Sequence, residues 1–373
     1  MDGTTGDLVG LVEELRRIGL RSGLDAVGVT SAAVFDRARL TLESRKAAGL
    51  HGGMHFTYGD PERSTDPDRA LPGARALVVG ARSYQRANAD PPSDGTPPLG
   101  RVARYSWRDE YEPLRDALGT VAARLEADGF RTRVLADDNA LVDREAAWRA
   151  GLGWYGKNAN LLLPGLGSWF VLGSVVTDAP LPATDQPVED GCGTCTRCLP
   201  ACPTGALVAP GVLDARRCLA WLLEAPGVFP AEYRHALGDR IYGCDDCQTA
   251  CPPNRLAERR DEGRPVTTAD QPWVDVLELL SLPDDELLAR QGRWYIPRRQ
   301  ARYVRRNALV VLGNVGDGSD TEVARALERA LADSDPILRG HAVWAARRLG
   351  RSDLLADMAE RETDPNVLAE LRG

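Results

Sequence analysis

All eight cysteines of this 373-residue chain lie between Cys192 and Cys251, and no other stretch holds one. They form two runs that each end in Cys-Pro: Cys192-x2-Cys195-x2-Cys198-x3-Cys202-Pro203, then Cys244-x2-Cys247-x3-Cys251-Pro252, with Cys218 between them. Thiolates spaced three residues apart can wrap successive irons of one cubane, while the cysteine before the proline is aimed away and ligates the other cluster. Crossing the fourth ligands predicts one [4Fe-4S] cluster on Cys192, Cys195, Cys198 and Cys251. The second would sit on Cys202, Cys218, Cys244 and Cys247, so every thiol is used. Paired C-x2-C motifs also build zinc ribbons, but a ribbon needs neither the third cysteine nor the proline behind the fourth. A disulfide framework is disfavoured because the rest of the chain carries no cysteine.

Composition narrows the setting. Hydrophobic residues make up 43% of the chain, and no apolar run approaches the ~20 residues needed to span a bilayer. The opening Met1-Asp2-Gly3-Thr4 has neither the basic nor the apolar region of a signal peptide, so a cytoplasmic protein without a membrane segment is expected. A formal net charge of −8 argues against indiscriminate nucleic-acid binding, so any polyanion site must be local. Of 46 basic residues only Lys46 and Lys157 are lysines. Where arginine is the default cation, a lysine points to a need for its compact ammonium. Lys46, in the helical stretch Leu42–Gly49, fits a chance occurrence; Lys157 sits in a glycine-rich loop.

Periodicity divides the chain into three. Apolar positions at Leu8, Leu11, Val12, Leu15 and Ile18 predict a first helix that stops near Gly19 and Gly23. Strands are expected at Ala26–Val29, Ala76–Ala81, Arg131–Leu135 and Ser168–Thr177, with helices at Leu114–Ala127 and about Leu141–Ala150. A polar, proline-rich stretch from Ala87 to Leu99 reads as a loop. Strands alternating with helices suggest an α/β domain over residues 1–178. A linker at 179–190 leads to a ferredoxin-like cluster module, 179–255 in all. After a polar stretch from Arg255 to Gln271, the region 256–373 reads as helical. It contains an internal repeat: Arg302…Ala308…Leu312-Gly313 recurs as Arg339…Ala345…Leu349-Gly350, and Asp364-Pro365 begins a partial third copy. Helix pairs of this kind resemble HEAT repeats. The expected class is therefore α+β and multidomain.

A two-cluster module flanked by a larger domain suggests a reductase whose redox centre lies in residues 1–178. At this point the motifs resemble, in order, those of the epoxyqueuosine reductase family. They are His51-Gly52-Gly53-Met54, Arg63, Leu71-Pro72, Arg104-Tyr105-Ser106-Trp107, Asp137 with Asp143-Arg144, and Arg149-Ala150-Gly151-Leu152-Gly153-Trp154-Tyr155-Gly156-Lys157-Asn158. Gly167-Ser168-Trp169, Tyr242-Gly243-Cys244-Asp245 and Arg306-Asn307-Ala308 follow. The resemblance covers nearly the whole chain. It implies reduction of epoxyqueuosine to queuosine at the wobble position of tRNA, with cobalamin bound base-off in residues 1–178 and charged by the two clusters. It implies cofactor contacts from Arg63, Ala103, Asp137, Leu161, Leu172, Cys244 and Asp245. The chain has four histidines and no D-x-H-x-x-G segment, which fits a cobalt without a protein histidine ligand. An external electron donor of the flavodoxin or ferredoxin type is expected, and nothing in the sequence argues for an oligomer, so a monomer is expected. One departure is Arg108-Asp109-Glu110-Tyr111-Glu112, where the family has a G-x-D-Y-H-like segment. Rival readings are a related cobalamin reductase acting on a small molecule and a non-enzymatic two-cluster carrier.

Asp137 is the expected catalytic acid. Opening an epoxide builds alkoxide character on oxygen, and a carboxylic acid within reach supplies the proton. Such an acid must be protonated near neutrality, so burial should raise its pKa. Its neighbour Asp138, or Asn139, suits the capping role better. Arg144 and Lys157 are expected to support or face the substrate. For the tRNA anticodon stem-loop, Arg293, Arg298, Arg299, Arg302, Arg305 and Arg306 form a cluster with no acidic residue among them. Trp294, Tyr295 and Tyr303 are interleaved and could stack on splayed bases.

Overall fold

The computed structural model describes residues 3–92, 97–183, 186, 188–260 and 264–372. Parts of the three expected connectors, 93–96, 184–185 with 187, and 261–263, lie outside the described residues. By contact the chain forms two compact units, each assembled from separated stretches. The first comprises Met1–Ala87, Arg108–Arg216 and Asp246–Pro265; the second comprises Asn88–Trp107, Arg217–Asp245 and Val266–Gly373. The sequence suggested cuts at 178 and 255, whereas contact interleaves the stretches.

The first unit is built on a four-stranded sheet. Its order is Ala26–Ser31, Ala76–Ser83, Phe170–Thr177, Thr132–Ala136, so the four expected strands form one sheet. Every neighbouring pair is antiparallel, with Ala76 opposite Thr177 and Ser83 opposite Phe170. The α/β expectation for this domain is corrected to α+β. Strands Ala76–Ser83 and Thr132–Ala136 are joined across the helix Tyr111–Ala127, but Phe170–Thr177 enters the slot between them, giving a split β-α-β unit. Alternation along the chain shows that a crossover exists; it does not reveal which later strand will fill the gap.

Both faces of this sheet are covered, which is why all eight residues of Phe170–Thr177 are buried. Helices Gly3–Arg21 and Tyr111–Ala127 lie on one face and Asp143–Arg149 on the other. The helix Tyr111–Ala127 approaches through a glycine trough. Gly80 and Gly173 stand opposite each other on adjacent strands. A Cβ on Gly173 would come 2.7 Å from Leu118 Cδ1, and one on Gly80 2.8 Å from Leu24 Cδ1.

The second unit carries a feature that the sequence did not disclose. Leu99–Val102 pairs parallel with Arg240–Tyr242 and antiparallel with Trp273–Asp275. The region 256–373 is therefore not wholly helical. Its helices Arg302–Val315 and Thr321–Leu331 both pack on Pro336–Arg348, which also packs on Pro365–Arg372. The repeated positions explain themselves physically. Gly313 lets two helices meet, since a Cβ there would lie 2.5 Å from Trp344 and 3.0 Å from Ala345 Cα. Asp335 caps the helix Pro336–Arg348 through the Ile337 amide and accepts from Arg302 at 3.3 Å. One copy later, Arg339 pairs with Glu362 at 2.7 Å.

Candidate active site and cysteine centres

Asp137 follows the strand Thr132–Ala136 and is held at φ +56°. Aspartate visits this left-handed region more readily than most residues, but the conformation still costs of order 1–2 kcal/mol. The surrounding loop fixes it. Asp138 accepts from the Ala140 amide at 2.8 Å, closing a turn within the loop; neither it nor Asn139 caps the helix Asp143–Arg149, whose N-cap position is Val142 without a side-chain bond. Asn139 accepts from the Thr57 amide, its carbonyl accepts from Ser64 Oγ at 2.8 Å, and the Val142 amide reaches the Ser64 carbonyl. Asp137 is thus left with no hydrogen bond to its carboxyl among the described residues.

The electrostatics favour a protonated acid. The Asp137 side chain is exposed, yet desolvation by the protein around it raises its pKa. The Arg115 guanidinium opposes this, while Asp138 and Asp109 add to it. Arg115 also reaches the Ala136 carbonyl at 3.4 Å. Asp143 is pushed further up by burial and then by Asp137, against Arg144. Its Oδ1 is buried without a hydrogen-bond partner. Burial, Asp137, Asp143 and Tyr84 all raise the Tyr111 phenol. Asp137 is thus linked electrostatically to Asp143, Tyr111 and Arg115. Tyr84 and Arg115 were missed in the sequence; Arg115 stands one helical turn from Tyr111, a signal too common to single it out.

The departing segment beside this site has a structural account. Asp109 is spent on the Tyr111 and Glu112 amides at 2.9 and 3.0 Å. Glu110 is buried beneath three guanidiniums: Arg86 at 2.7 Å, Arg108 at 3.2 Å and Arg82 at 3.6 Å. Glu112 is exposed.

Four cysteines of the first unit, Cys192, Cys195, Cys198 and Cys251, are mutual neighbours. Burial pushes the Cys251 thiol up to about 11, and Cys192, Cys198 and Cys195 add to the rise. Cys198 is raised by burial, Cys192 and Cys195 and drawn down by Lys157. Thiols that repel one another's charge suit a cationic core that would relieve the repulsion. Among the described residues no three Cys, His, Asp or Glu side chains gather as around a single ion, so the fit rests on this neighbourhood and the spacing. Cys202 and Cys247 belong to the first unit, Cys218 and Cys244 to the second.

The second cysteine run is bolted to the sheet. Asn254, fully buried, accepts from the Ser168 amide at 2.5 Å and donates to Ser168 Oγ and the Gln248 carbonyl. Gln248 Nε2 donates to Tyr84 Oη, the Ser168 carbonyl and Ser168 Oγ. Gly167 must be glycine, since at φ +65° a Cβ would lie 1.9 Å from Asn254 Oδ1. Arg144 donates to the Ala159 carbonyl at 2.7 Å and Lys157 to the Gly193 carbonyl at 2.6 Å.

The residues expected around cobalamin divide between the units. In the first, Arg63 is exposed; its amide donates to Asp60 and its carbonyl accepts from the Asp66 amide, while its guanidinium has no partner among the described residues. Leu161 and Leu172 are buried in the core. In the second, the Ala103 amide donates to the Tyr242 carbonyl, and the Arg104 amide donates to Asp245 Oδ2 at 2.7 Å. Gly243, just before Cys244, packs so closely on Ala103 that a Cβ would come within 2.5 Å.

The arginine cluster is corrected in part. Arg306 is 1% exposed. Its guanidinium donates to the carbonyls of Leu222, Leu223, Ala225 and Gly227 and to Asn307. It cannot meet a phosphate. Arg305 is engaged by Asp284 at 2.6 Å and by the Leu282 carbonyl. Arg302 is engaged by Asp335 and Gln300. Arg293, Arg298 and Arg299 are exposed. Arg293 reaches the Trp107 carbonyl, Arg299 the Leu288 carbonyl, and Arg298 has no side-chain partner among the described residues. Arg298 and Arg299 both hold positive φ, +51° and +52°. Trp294 is buried and stacked on Tyr242 at 4.6 Å, and Tyr303 is buried. Of the three aromatics only Tyr295 is open, 58% exposed.

Known proteins resemble this chain from end to end. Residues 191–254 match the family described as a 4Fe-4S double cluster binding domain, and residues 64–138 match epoxyqueuosine reductase QueG, DUF1730. The epoxyqueuosine reductase of Bacillus cereus is 34% identical over 94% of this chain and 92% of its own. That of Xanthomonas campestris is 37% identical over 90% of this chain and 95% of its own. A crystal structure of epoxyqueuosine reductase with an epoxyqueuosine-modified tRNA-Tyr stem loop superposes with a TM-score of 0.86. It is 32% identical and covers 98% of both chains. The Bacillus subtilis enzyme, solved with a catalytic aspartate loop swung out of its active site, matches at the same TM-score and identity. No helix among the described residues is long and apolar enough to cross a membrane. On sequence and on structure alike, the chain belongs to the epoxyqueuosine reductase family.

Proposed function

We propose that this chain reduces epoxyqueuosine to queuosine at the wobble position of tRNA, with Asp137 as the acid that delivers a proton to the epoxide oxygen. The observation that carries the reading is the strained, unbonded carboxyl of Asp137, raised in pKa, at the end of a sheet strand. It stands in a chain that matches relatives of that name over nine tenths of its length. Removal of the epoxide oxygen as water consumes two electrons and two protons and leaves an alkene. Asp137 supplies one proton where negative charge develops on oxygen. Burial shifts Asp143 and Tyr111 beside it toward their neutral forms, which limits competing charge there.

The eight cysteines would hold two [4Fe-4S] clusters, one on Cys192, Cys195, Cys198 and Cys251 and one on Cys202, Cys218, Cys244 and Cys247. Their role is to pass single electrons inward from an external donor of the flavodoxin or ferredoxin type. Cobalamin, when bound, supplies an electron-rich metal able to attack the strained ring. The unengaged Arg63 guanidinium suits the amide and tail groups of such a cofactor. Ala103, Asp137, Leu161, Leu172, Cys244 and Asp245 are the other residues assigned to it. Arg293, Arg298, Arg299 and Tyr295 form the surface offered to the anticodon stem-loop, with the repeated helices as its HEAT-like support. The protein would work as a cytoplasmic monomer.

Asp137→Asn is the test. The variant should retain iron, sulfide and corrinoid and lose queuosine formation by ~10²–10⁴-fold, the usual weight of a general acid. Queuosine in digested tRNA, measured by mass spectrometry, gives the rate. Turnover within a few-fold of wild type would remove Asp137 from the chemistry.

A further inference from the structure

Lys157 and Asn158 are adjacent residues that reach two different cysteine runs. Lys157 Nζ donates to the Gly193 carbonyl at 2.6 Å, between Cys192 and Cys195, and Asn158 Nδ2 donates to the Cys247 carbonyl at 3.4 Å. Asn158 is buried, 5% exposed. The loop beneath them is tied at every step. The Gly156 amide bonds the Asn160 carbonyl at 2.8 Å, the Asn160 amide bonds Asn158 Oδ1, and Arg144 holds the Ala159 carbonyl. The Lys157 carbonyl itself accepts from the Gly211 amide at 2.9 Å. An ammonium is therefore delivered to one peptide of the first cysteine loop from a rigid base.

We propose that Lys157 is the residue that tunes the outer cluster, its ammonium setting the reduction potential of the centre held by Cys192, Cys195, Cys198 and Cys251. The inference rests on the cluster assignment above. Reduction by an external one-electron donor adds one negative charge to a centre already surrounded by four thiolates. A cation fixed beside it favours the reduced form, and net charge and hydrogen bonding are the levers by which proteins set such potentials. There is a second, through-bond route. The Gly193 carbonyl and the Thr194 N–H belong to one peptide unit, so a cation on the oxygen makes that N–H a stronger donor. The choice of lysine follows. A compact ammonium with three donors fits a single carbonyl, where a planar guanidinium would spread its charge. In a chain with only two lysines among 46 basic residues, this is a place where arginine is a poor substitute in shape but an adequate one in charge.

The experiment is an anaerobic redox titration of the full-length protein without RNA, followed by electron paramagnetic resonance, on wild type, Lys157→Gln and Lys157→Arg. Iron and sulfide content, measured first, tests the cluster assignment separately. Iron-free or zinc-bearing protein would sink that assignment, whereas full clusters with unshifted potentials would sink only the role of Lys157. In Lys157→Gln one of two midpoint potentials should fall by about a tenfold change in its reduction equilibrium, ~59 mV for one electron. The other should stay in place, and Lys157→Arg should keep most of the wild-type value. If the Gln variant takes up no cluster while the Arg variant fills normally, the charge is again what matters. Equal potentials in all three proteins, equal shifts in both variants, or loss of clusters from both would overturn the proposal.

Discussion

Replacing Arg306 with methionine should destabilise the second unit while leaving RNA binding intact, the reverse of what its place in an arginine-rich run suggests. The guanidinium donates to the carbonyls of Ala225 at 2.7 Å, Gly227 at 2.8 Å, and Leu222 and Leu223 at 3.1 Å. It thereby caps the helix Leu219–Glu224, whose last carbonyls have no partner within the helix. Leu223 would stay satisfied by Asn307 at 2.9 Å; the other three carbonyls would not. At ~1 kcal/mol or somewhat more for each buried acceptor left open, the loss is about 3 kcal/mol. Burial lowers the Arg306 pKa to about 9, so the group is still a cation at pH 7. Removing it also removes a buried charge, which keeps the figure near the low end. With a slope of ~3 kcal/mol/M, the urea midpoint of this unit should fall by roughly 1 M. Tryptophan fluorescence and circular dichroism would follow it. Affinity for an anticodon stem-loop, per folded molecule, should stay within twofold. Arg298→Gln should do the opposite: unchanged stability, weaker binding, and a slope of log K against log salt smaller by about 1. Weaker RNA binding by Arg306→Met at unchanged stability would refute the reasoning.

Two further outcomes follow from the first unit. An acid raised in pKa must be protonated to act, so turnover should decline as pH rises through the Asp137 pKa. Because Arg115 holds that pKa down, Arg115→Gln should move the alkaline limb of the kcat profile to higher pH, and a limb moving lower would contradict the assignment. Gly167→Ala places a Cβ against Asn254 Oδ1 at a backbone angle that favours glycine. Iron content should drop with thermal stability as the Ser168–Asn254 corner opens, and a variant with full iron and unchanged Tm would show the corner to be dispensable.

The cysteine spacing was legible because ligand geometry leaves its mark directly on sequence. The four strands of the main sheet were also found, within a few residues, because three are runs of buried β-type residues and the fourth, half-buried Thr132–Ala136, follows the helix stop at Asp128-Gly129. Their direction was not, since nothing in Phe170–Thr177 announces that it enters between two earlier strands. Leu99–Val102 and Trp273–Asp275 are four and three residues long and pair with partners far along the chain, so they carry no periodicity to detect. Asp137 could be singled out in the sequence as a candidate acid, but its strained backbone could not, because φ is set by the folded loop and its Ser64 and Asn139 contacts. Arginine misled most. A guanidinium that caps a buried helix and one that waits for a phosphate are written with the same letter. Trp294 and Tyr303 belong to the same class of error, apolar anchors mistaken for platforms because charged residues flank them.

The interleaving of the two units bears on how the chain comes off the ribosome. The first unit takes its last stretch from Asp246–Pro265, so its sheet emerges long before Gln248 and Asn254 arrive to close the Ser168 corner. Until then the corner beside Trp169 lacks its partners, and under the proposed ligand assignment the thiols of the first run are made before the Cys251 that would complete their set. On that assignment cluster insertion would come late in synthesis, and a gene cut at either apparent module boundary would yield a half-built shell rather than a working part.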